Sequence, residues 1–256
     1  MIGEFQDKSI LITGASKGLG YVCARELEKL GAQLVMVARS SGKLEQLKST
    51  FSNPAKHLVF SADLVNCDSI QSLVKEGLEH SGGFDIVLHV LGGGYGFRDP
   101  LITWEQLDTL YKVNVGVAAE INRLIVPGMV EKRYGRLVHV GSIASQEATA
   151  SVGYNTVKSA LAAYVRSLGR ELAESGVVVS GILPGAFYAP ENSWERLKST
   201  KPEVVKEFIE KNLPRKRIAD VDELLPLIFF LAGKAASMMS GCCVPIDAGE
   251  GKSYVG

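Results

Sequence analysis

Short apolar runs alternate with longer segments of helical period along almost the whole of this chain. The runs at 9–13, 33–38, 57–61, 86–91, 136–140, 177–183 and 242–246 are mostly unbroken Val, Ile and Leu. Unbroken runs suit strands covered on both faces, whereas a half-exposed strand alternates apolar and polar residues. The segments at 21–30, 42–51, 69–80, 104–132, 154–175 and 221–231 each space their hydrophobic residues as one apolar stripe, long enough for a crossover helix. Strand and helix in strict alternation predict an α/β fold: a Rossmann-like, doubly wound parallel sheet of about seven strands with helices on both faces.

No repeat, low-complexity tract or Pro/Gly/Ser linker interrupts the pattern, and 256 residues lie at the upper end of what one core can serve. One domain over 1–256 is expected. The exception to the rhythm is 188–217, rich in Lys and Glu with Pro190, Pro202 and Pro214. So long an excursion after a strand's carboxyl end reads as a lid, with little core of its own to anchor it.

Composition narrows the partners. Hydrophobic residues make up 46%, charged residues 22%, and the formal net charge is zero. No basic or acidic block points to nucleic acid or an anionic membrane. The apolar run at 224–232 holds a proline and is too short to span a bilayer, and the first residues lack a signal-peptide pattern. Cys23, Cys67, Cys242 and Cys243 form no Cys-x-x-Cys pair, so no disulfide framework and no metal site are expected. The cytoplasm is the expected compartment.

The first strand runs into Thr13-Gly14-Ala15-Ser16-Lys17-Gly18-Leu19-Gly20, and a helix follows. Glycines let a backbone turn tightly against a pyrophosphate, and the helix N-terminus offers free N–H groups and a positive dipole end. The second strand ends at Ala38-Arg39-Ser40, where an NAD site would carry an acid for the ribose 2′-hydroxyl. Arg39 and Lys17 can instead pair with a 2′-phosphate, helped by the hydroxyls of Ser16 and Ser40, which predicts NADP(H).

Ser142 closes the fifth strand, and Tyr154-x-x-x-Lys158 begins the helix beyond it. With the Thr-Gly-x-x-x-Gly-x-Gly turn, this order resembles the short-chain dehydrogenase/reductase family, including 3-oxoacyl-[acyl-carrier-protein] reductases and related carbonyl reductases. The likeness runs from Lys8 to Gly249, with Asp63-Leu64, Asn114, Pro184-Gly185 and Asp247-Ala248-Gly249 as further marks. Carbonyl reduction needs a hydride on carbon and a proton on oxygen. A free tyrosine, with a pKa of about 10, exchanges protons poorly at neutral pH. Tyr154 and Lys158 lie one helical turn apart, and an ammonium group nearby is expected to lower the phenol's pKa.

The resemblance implies that Tyr154 is the general acid/base and that Lys158 also holds the nicotinamide ribose. It implies that Ser142 bonds the substrate oxygen and Asn114 holds a water. Asp63 and Leu64 would meet the adenine, Gly92 the cofactor's close approach, and Pro184, Gly185 and Phe187 the carboxamide. A homotetramer or homodimer built on 104–132 and 154–175 is likewise implied. Three departures stand out. His89-Val90-Leu91-Gly92 replaces the usual Asn-Asn-Ala-Gly, with His89 read as a ring bonded within the sheet. Ala189 stands where a threonine is usual, and Ser142 and Tyr154 are one residue closer than is common.

Two other classes compete with a reductase or alcohol dehydrogenase. A non-catalytic NADP-sensing or interaction protein on the same fold would leave the Asn/Ser/Tyr/Lys set unexplained. The other is a different Rossmann chemistry, methyl transfer or sugar epimerisation; epimerase-like relatives carry a larger C-terminal substrate domain, and an enoyl reductase typically has wider tyrosine–lysine spacing. Tyr95, Phe97, residues 143–145, Phe187, Tyr188 and Trp194 are the expected pocket walls. They leave acyl thioesters, small ketones, sugars and steroids open as substrates.

Overall fold

The computed structural model describes residues 3–253. In chain order the elements are β1 (Ser9–Thr13), α1 (Gly18–Lys29), β2 (Gln33–Ala38), α2 (Ser41–Ser49), β3 (Leu58–Ser61), α3 (Cys67–Ser81), β4 (Ile86–His89), α4 (Trp104–Tyr111) and α5 (Val117–Glu131). There follow β5 (Gly135–Val140), α6 (Val152–Glu171), β6 (Val177–Pro184), β7 (Phe187–Tyr188), α7 (Ser193–Thr200), α8 (Pro202–Asn212), β8 (Ala219–Asp220), α9 (Leu225–Ala232) and β9 (Cys243–Ile246). Seven strands form one sheet in the order β3-β2-β1-β4-β5-β6-β9, every pair parallel.

Burial follows the apolar runs. All eight residues of β6 are buried, whereas the edge strands β3 and β9 are mostly half-exposed. One core layer packs α1 and α9 on the sheet through residues such as Leu27, Leu34, Phe229 and Leu231. The opposite layer packs α3, α5 and α6 through Leu73, Ile121, Leu137 and Val165. Strand order reverses between β1 and β4, which opens a crevice at their carboxyl ends, the usual ligand position in such sheets.

Three local departures from the sequence pattern shape that crevice. β4 stops at His89 rather than Leu91, because the Thr13 hydroxyl takes the N–H groups of Val90 and Leu91 at 3.0 and 3.1 Å. The predicted helix over 104–132 is broken by a π turn at Lys112–Gly116, where the Val117 N–H reaches back to the Lys112 carbonyl. Such single-turn widenings cluster at functional sites. By length and composition the run Trp104–Glu131 is apolar enough to cross a membrane, and half of its most apolar 18-residue stretch is buried in this structure. It packs as a crossover against α3, β5 and β6.

The excursion at 188–217 holds α7 and α8 and, contrary to expectation, has a small core of its own. Ala186, Val205, Leu213 and Ile218 are buried there, with Trp194, Leu197 and Phe208 packed on them. Its base is tied by the short parallel pair β7–β8. Apolar residues spaced among the Lys and Glu form that core once two helices fold against each other.

Candidate active site

The glycine turn is held by what its glycines lack. Gly14 has φ +72°, and a Cβ there would lie 3.3 Å from the Leu91 nitrogen. A Cβ on Gly20 would lie 2.5 Å from the Gly14 carbonyl oxygen. The N–H groups of Gly14 and Ala15 donate to Val37 O at 2.9 and 3.2 Å, pinning the turn to the end of β2. Leu19 is buried beneath, Ser16 is half-buried and Lys17 exposed. Lys17 caps α1 in extended conformation without a side-chain bond, and the first turn holds no acid. No side chain caps that helix end, and apart from the Gly18 N–H, which donates to Pro190 O, it is open to an external anion such as the pyrophosphate of a dinucleotide.

Arg39 is exposed at the end of β2, and among the described residues its guanidinium has no partner. Ser40 precedes α2 without using its hydroxyl as a cap. Two further charged groups were not read from the sequence. Lys43, in the first turn of α2, pairs with Glu191 at the start of the excursion. The Gly18 N–H donates to Pro190 O at 2.7 Å, so this segment lies over the glycine turn. Lys43 holds the Glu191 carboxyl below its usual range, with smaller effects from Lys17 and Arg196. Lys43, one helical turn beyond Arg39, was legible as a second cation; Glu191 was not. Asp63 is exposed past β3, its carboxylate accepting from the Val65 N–H at 3.2 Å, and Leu64 is buried beside it.

The proton-handling candidates converge at the carboxyl end of β5. Ser142 is extended, and its Oγ accepts from the Ala144 N–H at 3.2 Å, capping the short turn Ile143–Ser145. Ser145 donates its hydroxyl to Ser142 O at 2.8 Å. Ser151 occupies the cap position of α6, but its hydroxyl makes no cap bond. In α6, Lys158 Nζ lies 5.5 Å from the Tyr154 ring centroid and donates to Val140 O at 2.9 Å. Burial pushes the Lys158 ammonium down to about 8. Burial also pushes the Tyr154 phenol up to about 12, opposed by a hydrogen bond with Ser142. The expected lowering of Tyr154 by Lys158 is not found here: burial dominates, only the Ser142 hydrogen bond opposes it, and the ammonium donates to the Val140 carbonyl.

Asn114 sits in the π turn, 2% exposed. Its Oδ1 accepts from the Gly93 N–H at 3.1 Å, and its Nδ2 donates to Gly93 O and Leu110 O at 3.0 and 2.9 Å. The side chain thus clamps the glycine loop, and the second lone pair of Oδ1 and the backbone of Asn114 remain to hold the expected water. A Cβ on Gly92 would lie 2.8 Å from Asn114 Oδ1 and 3.2 Å from Lys158 Nζ. Gly92, Asn114, Lys158 and Tyr154 therefore share one small volume.

Pro184 and Gly185 follow at the end of β6, where a Cβ on Gly185 would collide with Glu250. The Glu250 carboxylate accepts from the Ala186 N–H at 2.6 Å, and burial raises its pKa. Phe187 packs on the main core, and Ala189 is buried in it. Of the expected pocket walls, Trp194 packs tilted on Phe208 inside the excursion, ring centroids 4.4 Å apart, and Tyr188 lines an open cavity with Ala189, Pro190 and Arg217, with Lys198 4.6 Å over its ring. Tyr95 and Phe97 stack at 6.2 Å beside the glycine loop. Among the described residues no cluster of His, Cys, Asp and Glu could hold a metal.

The family model described as Enoyl-(Acyl carrier protein) reductase matches residues 14–250, which spans the glycine turn, Ser142, Tyr154 and Lys158. The chain belongs to the short-chain dehydrogenase/reductase family. An uncharacterized oxidoreductase of Staphylococcus epidermidis is 30% identical over 190 residues, 74% of this chain and 82% of that protein. A 3-oxoacyl-[acyl-carrier-protein] reductase of Pseudomonas aeruginosa is 27% identical over 251 residues, 96% of this chain and 98% of that one. L-Sorbose reductase from Gluconobacter frateurii, solved with NADPH and L-sorbose, superposes with a TM-score of 0.90 at 26% identity, covering 99% of this chain and 100% of that one. The short-chain dehydrogenase/reductase described here is accordingly an oxidoreductase acting on small molecules.

Proposed function

We propose that this protein transfers hydride between NADP(H) and a carbonyl or secondary alcohol, with Tyr154 as general acid/base. The observation that carries the reading is the shared volume at the end of β5, where Lys158 and Asn114 meet the glycine loop at Gly92 and Tyr154 meets it at Gly94. When bound, the nicotinamide supplies or accepts the hydride. Gly92 lets it approach Lys158, and the first turn of α1 at Leu19 and Gly20, with Gly18 once its N–H leaves Pro190 O, faces its pyrophosphate. Lys17, Arg39 and Ser40 offer the positive charge and hydroxyl that a 2′-phosphate needs, and Lys43 joins them when it leaves Glu191. Asp63 and Leu64 flank the adenine side, and Pro184, Gly185 and Phe187 the carboxamide side. NADPH in the L-sorbose reductase complex supports the same cofactor.

In the reducing direction Ser142 donates a hydrogen bond to the substrate oxygen and Tyr154 Oη delivers the proton. A phenol near 12 is a neutral donor at neutral pH, and once its proton has left, the phenolate draws on the Lys158 ammonium one turn away as that ammonium gives up Val140 O. An ammonium pushed down to about 8 can return a proton to Tyr154 within the working range. Water reaching the Asn114 backbone completes the path to solvent. The excursion at 188–217 acts as the lid of a single catalytic domain. A dimer or tetramer through α4–α5 and α6 is supported by exposed Trp104, Tyr111 and Val152 on those helices.

The test is Tyr154→Phe, which keeps the ring and removes the proton donor. Oxidation of NADPH with a panel of ketones should fall by roughly 10²-fold or more, with NADPH binding retained. Turnover above about a tenth of wild type would remove Tyr154 from the role.

A further inference from the structure

Behind the site lies a buried polar chain that the reaction scheme leaves unused. His89 and His139 are register partners on β4 and β5, and their rings stack 4.5 Å apart. Asn122 of α5 bridges them, with Nε2 of His89 at 2.8 Å from its Oδ1 and Nε2 of His139 at 3.4 Å from its Nδ2. Asn122 Nδ2 also donates to the Tyr164 hydroxyl at 3.0 Å, and His139 Nδ1 faces Ser180 O at 3.2 Å.

These contacts fix every proton. A carbonyl only accepts, so His139 carries its proton on Nδ1 and its Nε2 is an acceptor. That acceptor requires the amide nitrogen of Asn122 to face it, which turns Oδ1 toward His89. His89 must then carry its proton on Nε2, leaving Nδ1 a bare acceptor. Burial keeps both rings neutral, pushing His89 down to about 4 and His139 well below its ordinary value. His89 Nδ1 is buried with no partner.

Beside it is a cavity of about 10 Å³, lined by His89, His139, Thr13, Val113 and Asn114 among others. That is room for about one water molecule. Val113 brings a carbonyl that the π turn has deprived of its α-helical donor, since the Val117 N–H bonds Lys112 O instead. Thr13 brings a hydroxyl whose own donation, to Leu88 O, is long at 3.5 Å.

We infer that His89 is a positioning residue: its Nδ1 holds one buried water against the π turn, and this water fixes Asn114 in the active site. The water donates one hydrogen to His89 Nδ1, and the carbonyl and hydroxyl of Val113 and Thr13 are available to its remaining bonds. Asn114 in turn clamps Gly93 and stands with Lys158 against Gly92, so a shift of the π turn is felt where the cofactor and substrate meet. The effect on turnover rests on the Tyr154/Lys158 reading; the water itself does not.

Three substitutions separate this from a merely structural histidine. His89→Asn keeps an acceptor near the place of Nδ1 and gives up the bond to Asn122. His89→Gln reaches Asn122 but has nothing at the Nδ1 place, and His89→Leu has neither. With NADPH and a turned-over ketone, His89→Asn should keep kcat within about threefold of wild type, whereas His89→Gln and His89→Leu should lose roughly tenfold, KM for NADPH staying level. High-resolution diffraction should show the water in wild type, in His89→Asn and in the inactive Tyr154→Phe protein, and not in His89→Gln. A cavity without water in well-ordered crystals, or His89→Gln outperforming His89→Asn, overturns the inference. Retained turnover in Tyr154→Phe overturns the catalytic reading instead and leaves the diffraction result to decide on the water.

Discussion

Gly92→Ala adds one methyl group at the point where the proposed chemistry converges. Gly92 does not have the positive φ that would exclude alanine, so the backbone tolerates the change and the methyl alone is tested. It would lie 2.8 Å from Asn114 Oδ1 and 3.2 Å from Lys158 Nζ, the former about 0.6 Å inside ordinary contact. Asn114 resists moving because three backbone bonds at 2.9 to 3.1 Å hold its amide. Lys158 resists because its ammonium would lose its bond to Val140 O. Overpacking of this kind costs about 1–3 kcal/mol. A misplacement of about 1 Å costs up to roughly 10²-fold in rate, so a loss of about tenfold or more in kcat is expected. Urea denaturation reads the first quantity and steady-state oxidation of NADPH the second. Gly94→Ala is the control, since its methyl would make an ordinary 3.5 Å contact with the Tyr154 ring. A Gly92→Ala protein with kcat within about twofold of Gly94→Ala would refute the convergence.

Replacing Arg39 with Asp turns a phosphate partner into a repulsive charge, so NADPH affinity should fall and NADH use rise; equal use of both cofactors by wild type would sink the charge argument. Ser142→Ala should cut turnover by roughly 10²-fold, the scale of one lost transition-state donor, and Ser145→Ala much less. The reverse order, with folding intact, would reassign the serine. Lys158 has its folded pKa lowered from 10.5 to about 8, so between those values the unfolded chain binds more protons than the native one. Stability should therefore rise with pH through that window relative to Lys158→Met, measured by urea midpoints; a flat difference would mean the ammonium is not desolvated.

What the chain alone made legible was periodic or local. Unbroken apolar runs such as 177–183 announced strands buried on both faces, and the glycine turn announced a phosphate site, because both signals lie within a few consecutive residues. Ser142, Tyr154 and Lys158 could be picked out because one strand end and one helix carry them. The pairing of Lys43 with Glu191 was hidden, since it joins residues far apart in sequence, and so was the lid's own core, since each of its helices looks merely charged.

The electrostatics depended most on three-dimensional packing. Spacing placed an ammonium one turn from a phenol and implied a lowered tyrosine; burial, which no local pattern encodes, instead pushes the phenol up and the ammonium down. The same holds for His89. Its place on the fourth strand suggested a ring bonded within the sheet, whereas its proton, bare nitrogen and neighbouring cavity follow from His139, Asn122 and Ser180 on three other elements. Local spacing determines which elements form and which chemical groups they carry; desolvation and hydrogen-bond completion depend on everything packed around a group, and only the tertiary structure supplies that.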